Sequence, residues 1–273
     1  MLKTRVITAL VLVSLLLPSL FWLSQSSWAL LVAVFIGIAA WEWGALLCWK
    51  PQPRVALGVL VGAICAALSL LDPSSLEFRL GSTWVAAAYG LSAAFWLILM
   101  PFWLRSKWAI GGARGLLVGA VVLIPTWLAM VQLRALGPAA LLGIFTVVWM
   151  ADIAAYFSGR AFGKHKLAPT ISPGKTWEGA VGACVGVVVY GLVVRLLFDI
   201  QVLSLPLWIV VLFIVTGVSI VGDLFESLLK RKAGIKDSSN ILPGHGGVLD
   251  RIDSLTSTLP VVALFLLLVQ RSA

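Results

Sequence analysis

The acidic residues in the second half of this chain stand beside basic and glycine-rich stretches in a pattern suited to handling phosphates. In GDLFESLLKRK, from Gly222 to Lys232, Asp223 and Glu226 are spaced i, i+3 and so share one helical face. Neighbouring carboxylates repel unless a cation lies between them, which makes the pair a platform for Mg2+. Salt bridges to Lys230, Arg231 and Lys232 alone are the competing reading. In KDSSNILPGHGGVLDRIDS, from Lys236 to Ser254, Pro243, Gly244, Gly246 and Gly247 prevent regular helix around His245. Successive backbone N–H groups in such a turn form an anion nest. Asp250 and Asp253 follow on one face of the next helix with Arg251 beside them, a good polyphosphate and metal site. A zinc set is excluded, because the chain has 2 histidines and no suitably spaced cysteines.

A third cluster runs from Trp149 to Gly179. Asp152 lies inside an apolar run, where an unpaired carboxylate costs several kcal/mol, and Tyr156 shares its helical face. Arg160, Lys164, His165, Lys166 and Lys175 follow, able to meet an anion among glycines that permit close backbone approach. Ser172 and Pro173 read as an N-cap and first helical position, which would free backbone N–H groups near Gly174 and Lys175. The Gly174, Lys175, Thr176 triplet is not a P-loop, since Pro169 stands where that motif needs glycine and no strand precedes it. An ordinary basic loop is the plain alternative, against which Asp152 and Glu178 at its borders argue. Together the clusters supply acids for a divalent ion, bases for phosphates and glycines for close approach. Phosphoryl or nucleotidyl transfer calls for this set.

The elements that must position these groups are membrane spans. Hydrophobic residues make up 61% of the 273 and charged residues 11%, and continuous apolar runs of roughly 20 residues recur from end to end. This predicts an all-α polytopic membrane protein rather than a β-barrel, whose segments would alternate. About nine spans are expected: Val6–Leu23, Trp28–Cys48, Val55–Leu71, Trp84–Trp103, Leu116–Leu133, Ala139–Phe157, Glu178–Phe198, Leu207–Val221 and Leu255–Val269. The third and eighth are short or carry glycines and small polar residues that also suit a broken helix, and a count of eight or ten stays open. The chain reads as one integral domain over residues 1–273, with residues 1–137 a scaffold and 138–273 the catalytic portion. Broken or irregular segments are expected at the cytoplasmic edge.

Of the 20 Lys and Arg residues, only Arg79, Arg134, Arg195 and Arg271 fall on one side of this layout. The positive-inside rule therefore sets the N-terminus and the basic loops in the cytoplasm and the C-terminus outside. The same rule explains the net charge of +9 without nucleic acid. The first helix reads as uncleaved. Cys48, Cys65 and Cys184 are too scattered for disulfides or metal. Trp22, Trp28, Trp41, Trp43 and Trp49 read as interface anchors. Glu42 is the one carboxylate inside the N-terminal spans, with a structural role favoured over a functional one.

The run SLLKRKAGIKDSSNILPGHGGVLDRIDS resembles the signature of the phosphatidate cytidylyltransferase (CDP-diacylglycerol synthase) family. Ser227, Lys230, Arg231, Lys236, Asp237, Leu242, Pro243, His245, Gly246, Gly247, Asp250, Arg251 and Asp253 are all in place. The upstream ADIAAYFSGRAFGKHKLAPTISPGKTWEG resembles that family's second region. The resemblance implies transfer of CMP from CTP to phosphatidate, giving CDP-diacylglycerol and pyrophosphate for phospholipid biosynthesis. It further implies an all-helical dimer in the bacterial inner membrane that depends on Mg2+ and a second cation such as K+. Asp223 and Asp250 match the family's metal-binding aspartates, and Glu226 and Asp253 are the next candidates. Lys230, Arg231 and Lys236 are expected on the lipid phosphate or the triphosphate, Arg251 is a catalytic candidate held in position by Glu226 and Asp253, and His245 is a donor to a phosphate oxygen. Asp152, Tyr156, Arg160, Lys164, Lys175, Ser227, Asp237, Gly246 and Gly247 would complete substrate binding. A CTP-dependent lipid kinase is the nearest rival and would release CDP. A transporter would spread its polar residues through both halves near the midplane.

Overall fold

A computed structural model describes residues 2–79 and 83–272, apart from the side chains of Leu2, Ser75, Arg271 and Ser272. Among the described residues, 9 helical stretches are long and apolar enough to cross a membrane, as expected for an all-α polytopic protein. They are α1 (Leu2–Trp22), α2 (Gln25–Leu46), α3 (Pro51–Leu71), a composite of α4 (Thr83–Ala94) and α5 (Met100–Ser106), α6 (Gly112–Ala135), α7 (Pro138–Phe162), α8 (Trp177–Leu197), α9 (Leu205–Lys232) and α10 (Leu249–Ser272). The composite joins through one wide turn at Phe95–Leu99. The chain reverses at each connection, so the ends of α2, α5, α7 and α9 and the starts of α6, α8 and α10 gather at one end of the bundle. The opposite end holds Arg79, Arg134 and Arg195. Arg134 is buried there, and its guanidinium donates to the carbonyls of Leu20 and Leu23 and to Gln25.

The third and eighth spans, for which a broken helix is the alternative, are continuous: α3 runs 21 residues and α9 runs 28. The expected end of the latter at Val221 is corrected to Lys232. Polarity rises there without interrupting the helix, because Leu224, Phe225, Leu228 and Leu229 continue a buried apolar stripe at helical spacing. Phe225 anchors the stripe, its ring 5.7 Å from Phe95, 5.6 Å from Trp96, 5.9 Å from Trp103 and 6.3 Å from Trp43. Phe225 thereby packs α9 against α2 and the α4–α5 composite; the main apolar core runs from Leu20 to Leu267, and a smaller cluster of Ala151, Ala183, Val187 and Leu212 joins α7, α8 and α9.

Two sequence expectations change. Trp28 and Trp43 are buried between helices rather than set at the interface, and their indole N–H groups donate to the carbonyls of Met130 and Gly115. A tryptophan inside a helical bundle can spend its one donor on a helix carbonyl, so proximity to a span end did not decide its place. Trp22, 82% exposed, does face outward. The second change concerns Ser172 and Pro173, which begin a strand, β2 (Ser172–Thr176), paired antiparallel with β1 (Lys166–Ala168). Proline is tolerated because the two-stranded sheet leaves an edge without a partner. The N-cap of α8 is Thr176, whose hydroxyl accepts from Gly179 N at 3.1 Å. Gly174 and Lys175 therefore lie in a hairpin, and no helix N-terminus opens at them.

Candidate active site

The C-terminal turns of α9 and the first turns of α10 face each other at the basic end of the bundle. Gly222 makes the approach possible: a Cβ there would collide with Ser257 Oγ and press the Asp253 carbonyl. Close helix contact sets Asp223 and Glu226 of α9 opposite Asp250 and Asp253 of α10. Lys230 bridges the helices, with Nζ 2.6 Å from Asp250 Oδ1 and 3.2 Å from Glu226 Oε2. All three side chains are nearly closed to solvent, at 11% for Lys230, 5% for Glu226 and 3% for Asp250. Asp253 acts electrostatically on Glu226, and Asp223 on Asp253. Glu226 Oε1 is buried without a donor.

The hairpin closes a second side. Lys175 of β2 pairs with Asp223 Oδ2, while Ser227 Oγ donates to Asp223 Oδ1 at 3.2 Å. Asp152 of α7 lies within electrostatic reach of Asp223, Lys175 and Arg251. The stripe beginning at Asp152 continues along α7 through Tyr156 to Arg160, whose Nη1 donates to the Tyr156 hydroxyl at 3.1 Å. The hairpin is fixed at its root by Glu178, which accepts from the His165 backbone N–H and meets His165 Nδ1 at 2.7 Å. Glu178 thus ties the loop to α8 and stands apart from the carboxylate cluster.

The loop between α9 and α10 is a compact turn. Leu242 N donates to Gly246 O and His245 N to Leu242 O, both at 2.8 Å, with Gly244 and Gly246 at φ +78° and +81°. Asp250 organises it: Oδ2 accepts from Ser238 N at 2.8 Å, Ser238 Oγ at 2.8 Å and Gly247 N at 2.7 Å. The expected anion nest at Gly247 is therefore filled by the chain's own carboxylate. Pro243 is held at the N-terminal helix, where Thr8 Oγ1 donates to its carbonyl at 2.9 Å.

Of the residues singled out from sequence, Asp152, Lys175, Asp223, Glu226, Ser227, Lys230, Asp250, Arg251 and Asp253 come together. Arg231, Lys236, Asp237 and Lys164 are exposed and form no ion pair among the described residues. Gly246 sits against Asp250 and Asp237. His245 is half-buried, with Nδ1 lacking a hydrogen-bond partner among the described residues. Sequence reasoning passed over Ser238 and Ser239, for which the serine pair beside a glycine turn was the available signal. Glu42, for which the sequence favours a structural role over a functional one, accepts from Ser239 Oγ, Val248 N and Leu249 N and so reaches this loop from α2.

The donor set suits a magnesium ion shared with substrate. Mg2+ is commonly held by one or two carboxylates plus phosphate oxygens and water, not by a full protein cage. No group of three acidic or imidazole ligands is preassembled among the described residues. What is present is an orphaned buried oxygen on Glu226 beside Asp253, with Asp223 adjacent and lysines neutralising the rest. Such crowding of like charge favours a cation.

The cytidylyltransferase family model matches residues 3–269 of the chain. A phosphatidate cytidylyltransferase of Pseudomonas aeruginosa is 42% identical over 276 residues, which cover 97% of each chain. One of Haemophilus influenzae is 35% identical over 287 residues, covering 97% of this chain and 98% of the relative. One of Brucella suis is 49% identical over 128 residues, 45% of this chain and 44% of its own.

Proposed function

This chain belongs to the cytidylyltransferase family, and on that premise we propose that it transfers CMP from CTP to phosphatidate, forming CDP-diacylglycerol and pyrophosphate. The observation that carries the reading is Lys230, a nearly buried ammonium held between Glu226 and Asp250 beside the Lys175 pair with Asp223. A site of alternating buried charges is built to take in further charges of both signs, as a metal–nucleotide complex brings.

The lipid phosphate attacks the α-phosphorus of CTP; the new P–O bond forms as the bond to the β-phosphate oxygen breaks, and pyrophosphate leaves with those electrons. Phosphomonoesters have a second pKa of about 6, so the attacking oxygen is largely ionised near neutral pH and needs no strong base. Asp223 and Asp250 are the ligands we assign to Mg2+, with Glu226 and Asp253 supporting them. Held there, a divalent ion would supply positive charge to offset the negative charge that builds on the leaving pyrophosphate. Lys175 and Lys230 exchange their carboxylate partners for phosphate oxygens as substrates enter. Arg251, Arg231, Lys236, Lys164 and Arg160 draw the anionic substrates in from the rim, and His245 donates to a phosphate oxygen. Asp152 and Tyr156 border the nucleotide side, and Asp237, Gly246 and Gly247 shape the turn against which the phosphates rest.

The enzyme is proposed to sit in the bacterial inner membrane as a homodimer with the site facing the cytoplasm, where CTP is found. Support for the orientation is the gathering of lysines and arginines at the site end of the bundle. A second cation such as K+ is proposed to act with Mg2+. The test is a purified assay with CTP and phosphatidate, quantifying CDP-diacylglycerol and pyrophosphate with and without Mg2+. Release of CDP in place of pyrophosphate would instead identify a lipid kinase.

A further inference from the structure

We infer that Glu42, in the N-terminal scaffold, is a positioning residue that holds the Ser238–Leu249 loop so that Asp250 presents Oδ1 to the cation-binding cluster. The inference rests on the proposed nucleotidyl transfer and concerns what sets its geometry.

Glu42 is 0% exposed in an otherwise apolar helix, a costly place for a carboxylate unless its hydrogen bonds are complete. Its partners come from one loop: Ser239 Oγ at 2.5 Å and Val248 N at 3.0 Å on Oε1, and Leu249 N at 2.6 Å on Oε2. The two amides open α10, where orphan N–H donors and the helix dipole favour an anion. Asp250 meanwhile binds Ser238 and Gly247, the immediate neighbours of the residues Glu42 binds. The two carboxylates thus interleave along both strands of the turn. Three donors saturate Asp250 Oδ2, which leaves Oδ1 as the atom turned toward Lys230. Gly247 stands where the holds meet, since a Cβ there would collide with both Glu42 Oε1 and Ser238 Oγ. Loss of Glu42 frees Ser239 Oγ and leaves the buried amides of Val248 and Leu249 without their acceptor, and Asp250 then loses the neighbours that fix its rotamer.

The experiment compares purified full-length wild type, Glu42→Gln and Ser239→Ala in three measurements: kcat, the Mg2+ concentration for half-maximal rate, and amide hydrogen exchange by segment. Glu42→Gln is expected to lower kcat and raise the Mg2+ requirement by about 10- to 100-fold, the usual effect of removing a group that orients a metal ligand. Exchange should accelerate in residues 238–250 and stay unchanged in α6. Ser239→Ala should move all three in the same direction by less. Wild-type kcat and Mg2+ requirement in Glu42→Gln overturn the inference, as does lost activity with unchanged exchange in 238–250 or with exchange raised throughout the chain. Should Glu42→Gln fail to fold, wild-type kinetics in Ser239→Ala overturn it instead. If wild type itself releases no pyrophosphate, the functional reading fails, and the exchange comparison still decides whether Glu42 holds the loop.

Discussion

Replacing Lys230 by methionine isolates the charge that joins α9 to α10. Methionine keeps much of the aliphatic stem and removes the ammonium, leaving Glu226 and Asp250 facing each other across a space only 5% and 3% open to solvent. At an effective dielectric constant near 20, unit charges about 4 Å apart interact by about 4 kcal/mol. The native lysine gains two such attractions and loses much of that to desolvation. Removing one partner from a buried pair typically costs about 3–5 kcal/mol, because the other charges remain buried. A soluble domain of comparable size loses about 2–4 °C per kcal/mol, so a fall of about 6–20 °C in Tm is expected in detergent. A divalent ion can occupy the vacated position between the carboxylates, so millimolar Mg2+ should restore part of the loss in Lys230→Met and affect wild type less. The assay is thermal unfolding followed by tryptophan fluorescence, with and without MgCl2. A Tm within about 2 °C of wild type in both conditions would refute the view that these carboxylates depend on a cation between them.

Asp250→Asn should reduce turnover by at least about 100-fold while the chain stays folded, measured by CDP-diacylglycerol formation; near-normal Mg2+-dependent activity would remove Asp250 from the metal set. Lys175→Met leaves Asp223 without its ammonium partner and should raise KM for CTP along with lowering kcat, read from initial rates. Gly247→Ala drives a methyl into Glu42 and Ser238, so a destabilisation of about 1–3 kcal/mol and a matching loss of activity are expected, whereas Gly217→Ala, which meets nothing within 4 Å, should behave as wild type in the same melts.

The class of fold was legible because hydrophobicity is a property of residue runs: helices that must span about 30 Å of hydrocarbon declare their length and number in the chain itself. The signature residues were legible for a related reason, since i, i+3 spacing puts Asp223 with Glu226 and Asp250 with Asp253 before any tertiary contact forms. Helix ends were less so. The rise in polarity after Val221 predicts the end of the eighth span there, whereas the buried stripe through Leu229 continues the helix to Lys232. Ser172 and Pro173 fit a cap locally, and pairing with Lys166–Ala168 made them a strand.

By itself the sequence determined a polytopic helical protein with most of its acidic residues in the C-terminal half, and the residue types able to handle phosphates and a cation. The tertiary structure alone decided which of those residues meet: Asp152, Lys175 and Asp223 from three separate elements, Lys230 across to Asp250, and Glu42 across to Val248 and Leu249, some 206 and 207 positions away. Local spacing reports neighbours on one helix, whereas a buried charge is satisfied by whichever donor the packing of other helices brings within about 3 Å.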